Sequence, residues 1–298
     1  MSAHATRRPV AIAGLREIAD RFDSVLLDQW GALHDGRQVF PAARECVERL
    51  RAAGKRVLIL SNSGKRAADN IRRLEALGLP RTAYDALLTS GEAAWVGLRD
   101  RVEPPFDRLG RRCLLFTRGR DPSISDGLAL DVVTELSDAD FIFLAGVDDG
   151  CAEPEMWRPL LAEAARRRLP MLCANPDLTM FGGGELMPAP GAVARLYGAL
   201  GGGVHFVGKP HAPIFVAALR ALGSPVASRV LVVGDSLDHD ILGGNRAGML
   251  TALIASGVHA RVLGAATDLA EAVQSLAPDS AHLPHWVLPD LRWSEDAP

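Results

Sequence analysis

The sequence predicts an α/β protein: a parallel sheet with helices on both faces, interrupted by an inserted α/β domain. Three observations carry this. Short apolar runs alternate with helical patterns at both ends of the chain, which is the signature of β-α-β units. A middle block of about 115 residues has strands and a helix of its own, enough for a small domain. At roughly 150 residues per domain, a length of 298 suits two domains. The expected boundaries are 1–86 for the first part of the core, 87–203 for the insert and 204–298 for the second part.

Ser24–Leu27 is an apolar strand ending at Asp28. A helix follows from Ala42 to Ala53, with Cys46, Val47 and Leu50 on one face, and Gly54 closes it. Val57–Leu60 reads as a second buried strand, followed by a helix over Lys65–Leu77 that Gly78 and Pro80 stop. In the insert, Leu114–Phe116, Phe141–Leu144 and Pro170–Cys173 are strands, with a helix over Glu155–Arg168. Arg166–Arg168 reads as a solvated helix end. Gly182–Gly184 and Gly201–Gly203 lack phosphate-loop spacing and read as turns. Beyond the insert come a strand at Arg229–Val233, a helix at Asp238–Ala247 and a strand at Leu250–Ile254. His285–Leu288 is either a last core strand or an interface edge, which leaves a homo-oligomer open.

Composition narrows the function. Apolar residues make up 48% and charged residues 23%, an ordinary globular balance. The formal charge of −3 leaves no basic footprint, so a nucleic-acid partner is not expected. No apolar run approaches the ~20 residues of a membrane helix, and no secretory apolar region is visible, so the reading is cytoplasmic. Cys46, Cys113, Cys151 and Cys173 are widely spaced, with no C-x-x-C pair, and read as buried free thiols. Lys55, Lys65 and Lys209 are the only lysines, which makes a placed lysine easy to locate.

Three strand ends deliver polar residues: Asp28-Gln29-Trp30-Gly31, Ser61-Asn62-Ser63 and Gly234-Asp235-Ser236-Leu237-Asp238-His239-Asp240. In an open parallel sheet, ligands bind beyond the carboxyl ends of the strands. Gly208-Lys209-Pro210 adds a cation. Asp28, Asp235 and Asp240 together need a counter-ion, and an all-oxygen set suits Mg²⁺. Such a cation, with Lys209 and the Ser61 hydroxyl, would cradle a phosphoryl group that Asp28 attacks. Taken singly, each segment has a plainer reading. An Asp before Gly is a turn former, and Asp238 suits an N-cap.

In order, Asp28-x-x-Gly31, Ser61-Asn62, Gly208-Lys209-Pro210 and Gly234-Asp235-x-x-x-x-Asp240 resemble the four motifs of the haloacid dehalogenase superfamily. The string Gly234–Ile241 and Asn175-Pro176-Asp177 are similar to its class IIA branch of nucleotide, sugar-phosphate and p-nitrophenyl phosphatases. The resemblance spans residues 24–275 and implies a Rossmann-like core with an inserted α/β cap. It implies a Mg²⁺-dependent phosphatase acting on a small phosphorylated metabolite. Asp28 would be nucleophile and metal ligand, Ser61 and Asn62 would meet the phosphoryl group, and Lys209 would neutralise charge. Asp235, Asp240 and the Trp30 backbone carbonyl would hold the metal, and Asn175 and Asp177 would lie near the substrate.

One departure matters. The family's motif has a second Asp two residues after the nucleophile, a general acid that later activates water; here Trp30 stands there. Such a group contributes ~10²–10⁴-fold in rate, so an alkoxide leaving group suffers most, while an aryl or acyl phosphate needs little help. His34 and Asp35 are candidates to replace it, against a plain loop role for His34. The alternative function is a catalytically impaired protein of the same fold that binds a phosphate ligand or regulates. Phosphonate cleavage through a cap lysine is set aside, because 87–203 contains no lysine.

Overall fold

The computed structural model describes residues 8–148, 153–182 and 185–294. Two compact units emerge. The first runs to Ser61, takes in Asn70–Leu88 and resumes at Phe215; the second comprises Asn62–Asp69 and Thr89–Ile214.

The first unit is built on a seven-stranded sheet. Its order is Val10–Ala11, Trp286–Leu288, Leu250–Ile254, Val230–Gly234, Ser24–Asp28, Arg56–Ser61, Ala86–Thr89. The pairings from Val10–Ala11 across to Arg56–Ser61 are parallel. Val25–Leu27, Val57–Leu60 and Val230–Val233 are buried on both faces, which is why they read as continuous apolar runs rather than alternating ones. The helix Pro41–Ala52 starts with proline at its first turn and buries Ala43, Cys46, Val47 and Leu50. Gly54, at a φ of 73°, follows it in the left-handed region that glycine tolerates.

Chain order fixes where a ligand can enter. From Ser24–Asp28 the chain moves to one neighbour, Arg56–Ser61, and only much later returns to the other neighbour, Val230–Gly234. The strand ending in Asp28 therefore sits at a topological switch point, where the flanking loops diverge and leave a crevice.

The second unit holds a five-stranded sheet, ordered Val204–Phe206, Met171–Cys173, Phe141–Leu144, Arg112–Phe116, Asp131–Val133, with every pairing parallel. A two-stranded antiparallel ribbon pairs Thr179–Gly182 with Glu185–Pro188. Leu114, Ile142, Leu144, Leu161 and Tyr197 lie in its core.

This unit differs from the expected 87–203 block at both ends. Val204–Phe206 pairs with Met171–Cys173, so the unit extends to Ile214 and includes Lys209. Residues 62–69 join it through bonds to the helix Ser90–Asp100 and the Thr89 that caps it. Gly91 N–H donates to Ser63 O at 3.0 Å and Thr89 Oγ1 to Lys65 O at 2.6 Å. Arg66 forks onto Glu92 at 2.7 and 3.1 Å and stacks on Trp95.

Element ends shift by a few residues. The Lys65–Leu77 helix is Ala67–Ala76. The expected Glu155–Arg168 helix is a 3₁₀ turn, Pro154–Trp157, followed by Arg158–Arg166. Arg166 and Arg167 pair with Glu163 at an exposed helix end. Trp286–Leu288 lies between two other strands, so it is a sheet interior and not an interface edge. Cys46, Cys113 and Cys173 are buried free thiols, and burial raises the last two to about 12. Cys151, and Gly183 and Gly184 of the expected glycine turn, lie outside the described residues. Among the described residues, no helix is long and apolar enough to cross a membrane.

Candidate active site

Within the first unit, the switch point gathers three carboxylates. Asp28 is the last residue of its strand. Asp235 follows Val230–Gly234, and Asp240 lies on the π-helical turn Leu237–Ile241 that replaces the start of the expected Asp238–Ala247 helix. One oxygen from each lies within 4.8 Å of the others. They are 9%, 4% and 2% exposed respectively. The expected N-cap at Asp238 is instead Ser236, whose hydroxyl accepts the His239 N–H at 3.2 Å. Asp238 is an exposed residue 3.5 Å from His282.

Glycines make this approach possible. A Cβ on Gly234 would collide with the Asp240 carboxyl group. Gly257, at a φ of 93°, packs so closely on Asp235 that a Cβ there would strike its carboxylate. The next amide, Val258 N–H, donates to Asp235 Oδ2 at 2.9 Å, and Ser236 N–H donates to Asp240 Oδ2 at 3.3 Å. Three acidic groups this near and this buried repel one another and are expensive to desolvate. The donor set is all oxygen, which fits Mg²⁺ with waters completing its shell. Ser61 ends the adjacent strand Arg56–Ser61 and is likewise buried.

Trp30 turns out from the strand end and is 41% exposed. Its ring is braced by the loop after it. A Cβ on Gly36 would strike the indole, the His34 ring meets it edge-on at 5.4 Å, and the Arg73 guanidinium lies 5.5 Å from its centroid. Gly31, at a φ of 82°, makes the turn, and its N–H donates to His34 O.

His34 and Asp35, the two candidate proton donors, are both bonded within their own loop. His34 is 1% exposed, and its Nδ1 accepts the Gly36 N–H at 2.9 Å. The ring proton of the neutral form therefore sits on Nε2, facing the Gln29 amide at 3.2 Å. Gln29 Oε1 is buried and has no other hydrogen-bond partner, so it is the natural acceptor for that proton. Burial, with the nearby Arg73 charge, lowers the His34 pKa to about 4 against the opposing pull of Asp35. Asp35 accepts the Gln38 and Arg37 N–H groups at 2.9 and 2.8 Å, which hold its carboxyl below the usual range. It is an ionised turn former at the surface.

Within the second unit, a separate cluster surrounds Lys209. The Asn62 amide makes four hydrogen bonds. Its Oδ1 accepts the Lys209 N–H at 2.7 Å and the Ser90 hydroxyl at 3.3 Å. Its Nδ2 donates to Lys209 O at 3.1 Å and to Asp177 Oδ1 at 2.7 Å. Asn175 Oδ1 accepts the Asp177 N–H at 3.0 Å. Asn62, Asn175 and Asp177, expected near the phosphoryl group and substrate, take part in a chain of bonds that positions the Lys209 backbone. Every donor and acceptor of the Asn62 side chain is used in it. Gly208 allows this closeness, since a Cβ there would meet Ser90, Pro176 and Asn62. Lys209 itself is buried.

Sequence reasoning missed Ser90, Gly257 and the Val258 amide. Ser256-Gly257 directly after a buried strand was a readable turn signal; Ser90, inside a helix, carried none.

Comparison with known proteins points one way. Family models described as haloacid dehalogenase-like hydrolase match residues 25–123 and 116–248, and one described as HAD-hydrolase-like matches 206–294. Chronophin from Homo sapiens is 32% identical over 281 residues, spanning 89% of this chain and 92% of chronophin. D-glycerol 3-phosphate phosphatase from Mycobacterium tuberculosis is 31% identical over 250 residues, 82% of this chain and 66% of that protein. The crystal structure of a haloacid dehalogenase-like hydrolase from Brucella suis 1330 has 32% identity and a TM-score of 0.78, covering 94% of this chain and 99% of that one.

Proposed function

This chain belongs to the haloacid dehalogenase-like hydrolases, in their class IIA branch, and from that premise we propose that it is a Mg²⁺-dependent phosphate-monoester hydrolase working through an aspartyl-phosphate on Asp28. The observation that carries the reading is the buried cluster of Asp28, Asp235 and Asp240 at the end of the central strand. Relatives named D-glycerol 3-phosphate phosphatase and dihydroxyacetone phosphatase support phosphate hydrolysis on a small molecule, the leaving group being set by this chain's own residues.

In this proposal an Asp28 oxygen attacks phosphorus, and Asp28, Asp235, Asp240 and the Trp30 carbonyl would hold the cation. When bound, Mg²⁺ would supply positive charge to offset the carboxylates and polarise the phosphoryl group. The Ser61 hydroxyl donates to a phosphoryl oxygen. The Lys209 ammonium neutralises charge shared by nucleophile and phosphate, with Asn62 fixing the Lys209 backbone. Fixed donors of this kind cost no reorganisation as charge moves onto the transferring group.

Trp30 supports a second reading, a phosphate-ligand binder of the same fold with poor turnover. One assay separates the two: phosphate release from acetyl phosphate, 4-nitrophenyl phosphate and a panel of sugar phosphates and nucleotides. Release that requires Mg²⁺ and disappears with EDTA and in Asp28→Asn is expected. Full activity in Asp28→Asn would sink the nucleophile assignment. No release from any substrate, by protein that binds Mg²⁺ and inorganic phosphate, would favour the binder.

A further inference from the structure

Building on the phosphatase reading, we infer that this enzyme is restricted to phosphates of acidic leaving groups, acyl or aryl phosphates, and that the phosphoryl group persists on Asp28 after the leaving group has gone. The inference comes from where protons can and cannot come from around Asp28.

Phosphoryl transfer to an aspartate and on to water needs two proton movements. An alkoxide must be protonated as it departs, and the attacking water must lose a proton. Position 30, two residues beyond the nucleophile, holds an indole. Its N–H donates a hydrogen bond and does not titrate, so it does neither task. The ring is also braced, against Gly36 on the loop, edge-on to His34 and beside Arg73. Behind it, His34 is enclosed, with Nδ1 bonded to Gly36 N–H and Nε2 facing the Gln29 amide. Asp35 is tied to two backbone amides of its own turn. In the second unit Asp177 accepts the Asn62 amide. Asp28, Asp235 and Asp240 are the proposed metal ligands and nucleophile, so their carboxylates serve as anions. Among the described residues of the loop 29–38, no titratable side chain is left to carry a proton to or from the reacting atoms.

The steps then follow. An Asp28 carboxylate oxygen forms a bond to phosphorus, and the bond from phosphorus to the leaving oxygen breaks. The electron pair leaves with that oxygen as a carboxylate or phenolate, which is stable without a proton. Water next attacks phosphorus, the bond to Asp28 oxygen breaks, and the proton of the water goes to bulk solvent or to the phosphate formed. The first step is fast for an acidic leaving group. The second lacks a base, so it sets the rate of turnover and the phosphoryl-enzyme accumulates.

Rapid mixing of the Mg²⁺-loaded protein with 4-nitrophenyl phosphate tests this. A burst of 4-nitrophenolate approaching one per active site is expected, followed by slow turnover. Acid-quenched protein should carry one phosphoryl group, absent in Asp28→Asn. Acetyl phosphate should load the same site. Across a series of aryl phosphates the loading rate should fall steeply as the leaving group becomes more basic, with D-glycerol 3-phosphate at least ~10²-fold slower. Trp30→Asp should raise turnover of that alkyl phosphate by ~10²–10⁴-fold and abolish the burst. Asp28-dependent turnover in wild type with no burst and no leaving-group dependence would overturn the inference and leave the phosphatase reading standing, with Lys209 the first group to examine as proton donor. No product and no phosphoryl-enzyme from any of these substrates would overturn both.

Discussion

Replacing Asn62 by alanine distinguishes a positioning role from a substrate contact. The substitution removes the acceptor of the Lys209 N–H, which is bonded at 2.7 Å, and both donors of the amide. Lys209 is 2% exposed, so its orphaned N–H finds no water at once and costs ~1–3 kcal/mol. The bond to Asp177 is charge-assisted, but that carboxylate is half-buried and regains solvent, which reduces its loss to ~1 kcal/mol. The Ser90 bond, at 3.3 Å, is long and adds little. A total near 3 kcal/mol lowers the Tm of a unit this size by roughly 10 °C.

Thermal unfolding of the metal-free protein measures the loss, and steady-state kinetics with 4-nitrophenyl phosphate measures its consequence. Lower kcat together with the fall in Tm is expected, because the Lys209 backbone loses its anchor. Asn62→Asp should be worse than Asn62→Ala, since it sets a second carboxylate against Asp177 where the amide now lies at 2.7 Å. A Tm within 1 °C of wild type combined with a raised KM would refute this reasoning and return Asn62 to the substrate.

Gly257→Ala combines a left-handed φ of 93° with a clash against the Asp235 carboxylate, so ~2–4 kcal/mol of destabilisation and weaker Mg²⁺ binding are expected by calorimetry; unchanged values for both would show that the Ser256-Gly257 turn is not built around Asp235. Asp235→Asn should weaken Mg²⁺ at least ~10-fold, yet raise the Tm in EDTA by relieving repulsion with Asp28 and Asp240; an unchanged Mg²⁺ affinity would count against the ligand role. His34 supplies a pH dependence. Its folded pKa of about 4 lies below the unfolded value of ~6.5, so the unfolded chain takes up the proton first as pH falls. Its contribution, of order 2–3 kcal/mol, is complete above pH ~6.5 and lost as pH falls towards 4. Urea unfolding at pH ~7 and ~4.5 should show that slope in wild type and lose it in His34→Asn; an equal slope in both proteins would rule it out.

What was legible in the sequence is what local pattern determines. Val25–Leu27, Val57–Leu60 and Val230–Val233 are unbroken apolar runs, and a strand buried on both faces leaves few other readings. Each is followed at once by polar residues, so the pattern alone puts Asp28, Ser61 and Asp235 at strand ends, where the structure has them. What local pattern leaves open has a different cause. Val204–Phe206 is three residues long and only partly buried, too little for periodicity to detect, and the second unit, with Lys209, extends beyond it. His34 has the same side chain whether it lines a pocket or closes a loop; its role depends on Gly36 and Gln29 and on the indole above it.

Asn62 shows the limit most sharply. Its motif position identifies a residue near phosphate chemistry, but an amide makes four hydrogen bonds to whatever the fold presents. Here the partners lie 28, 115 and 147 residues away along the chain. Ser61 ends the strand beside the one that ends in Asp28, and Asn62, the next residue, bonds the Lys209 backbone. On the proposed function the Ser61 hydroxyl serves the chemistry, while the Asn62 amide is bonded to Lys209, Asp177 and Ser90. Loss of the Ser61 hydroxyl should then show in kcat, and loss of the Asn62 amide in kcat and stability together.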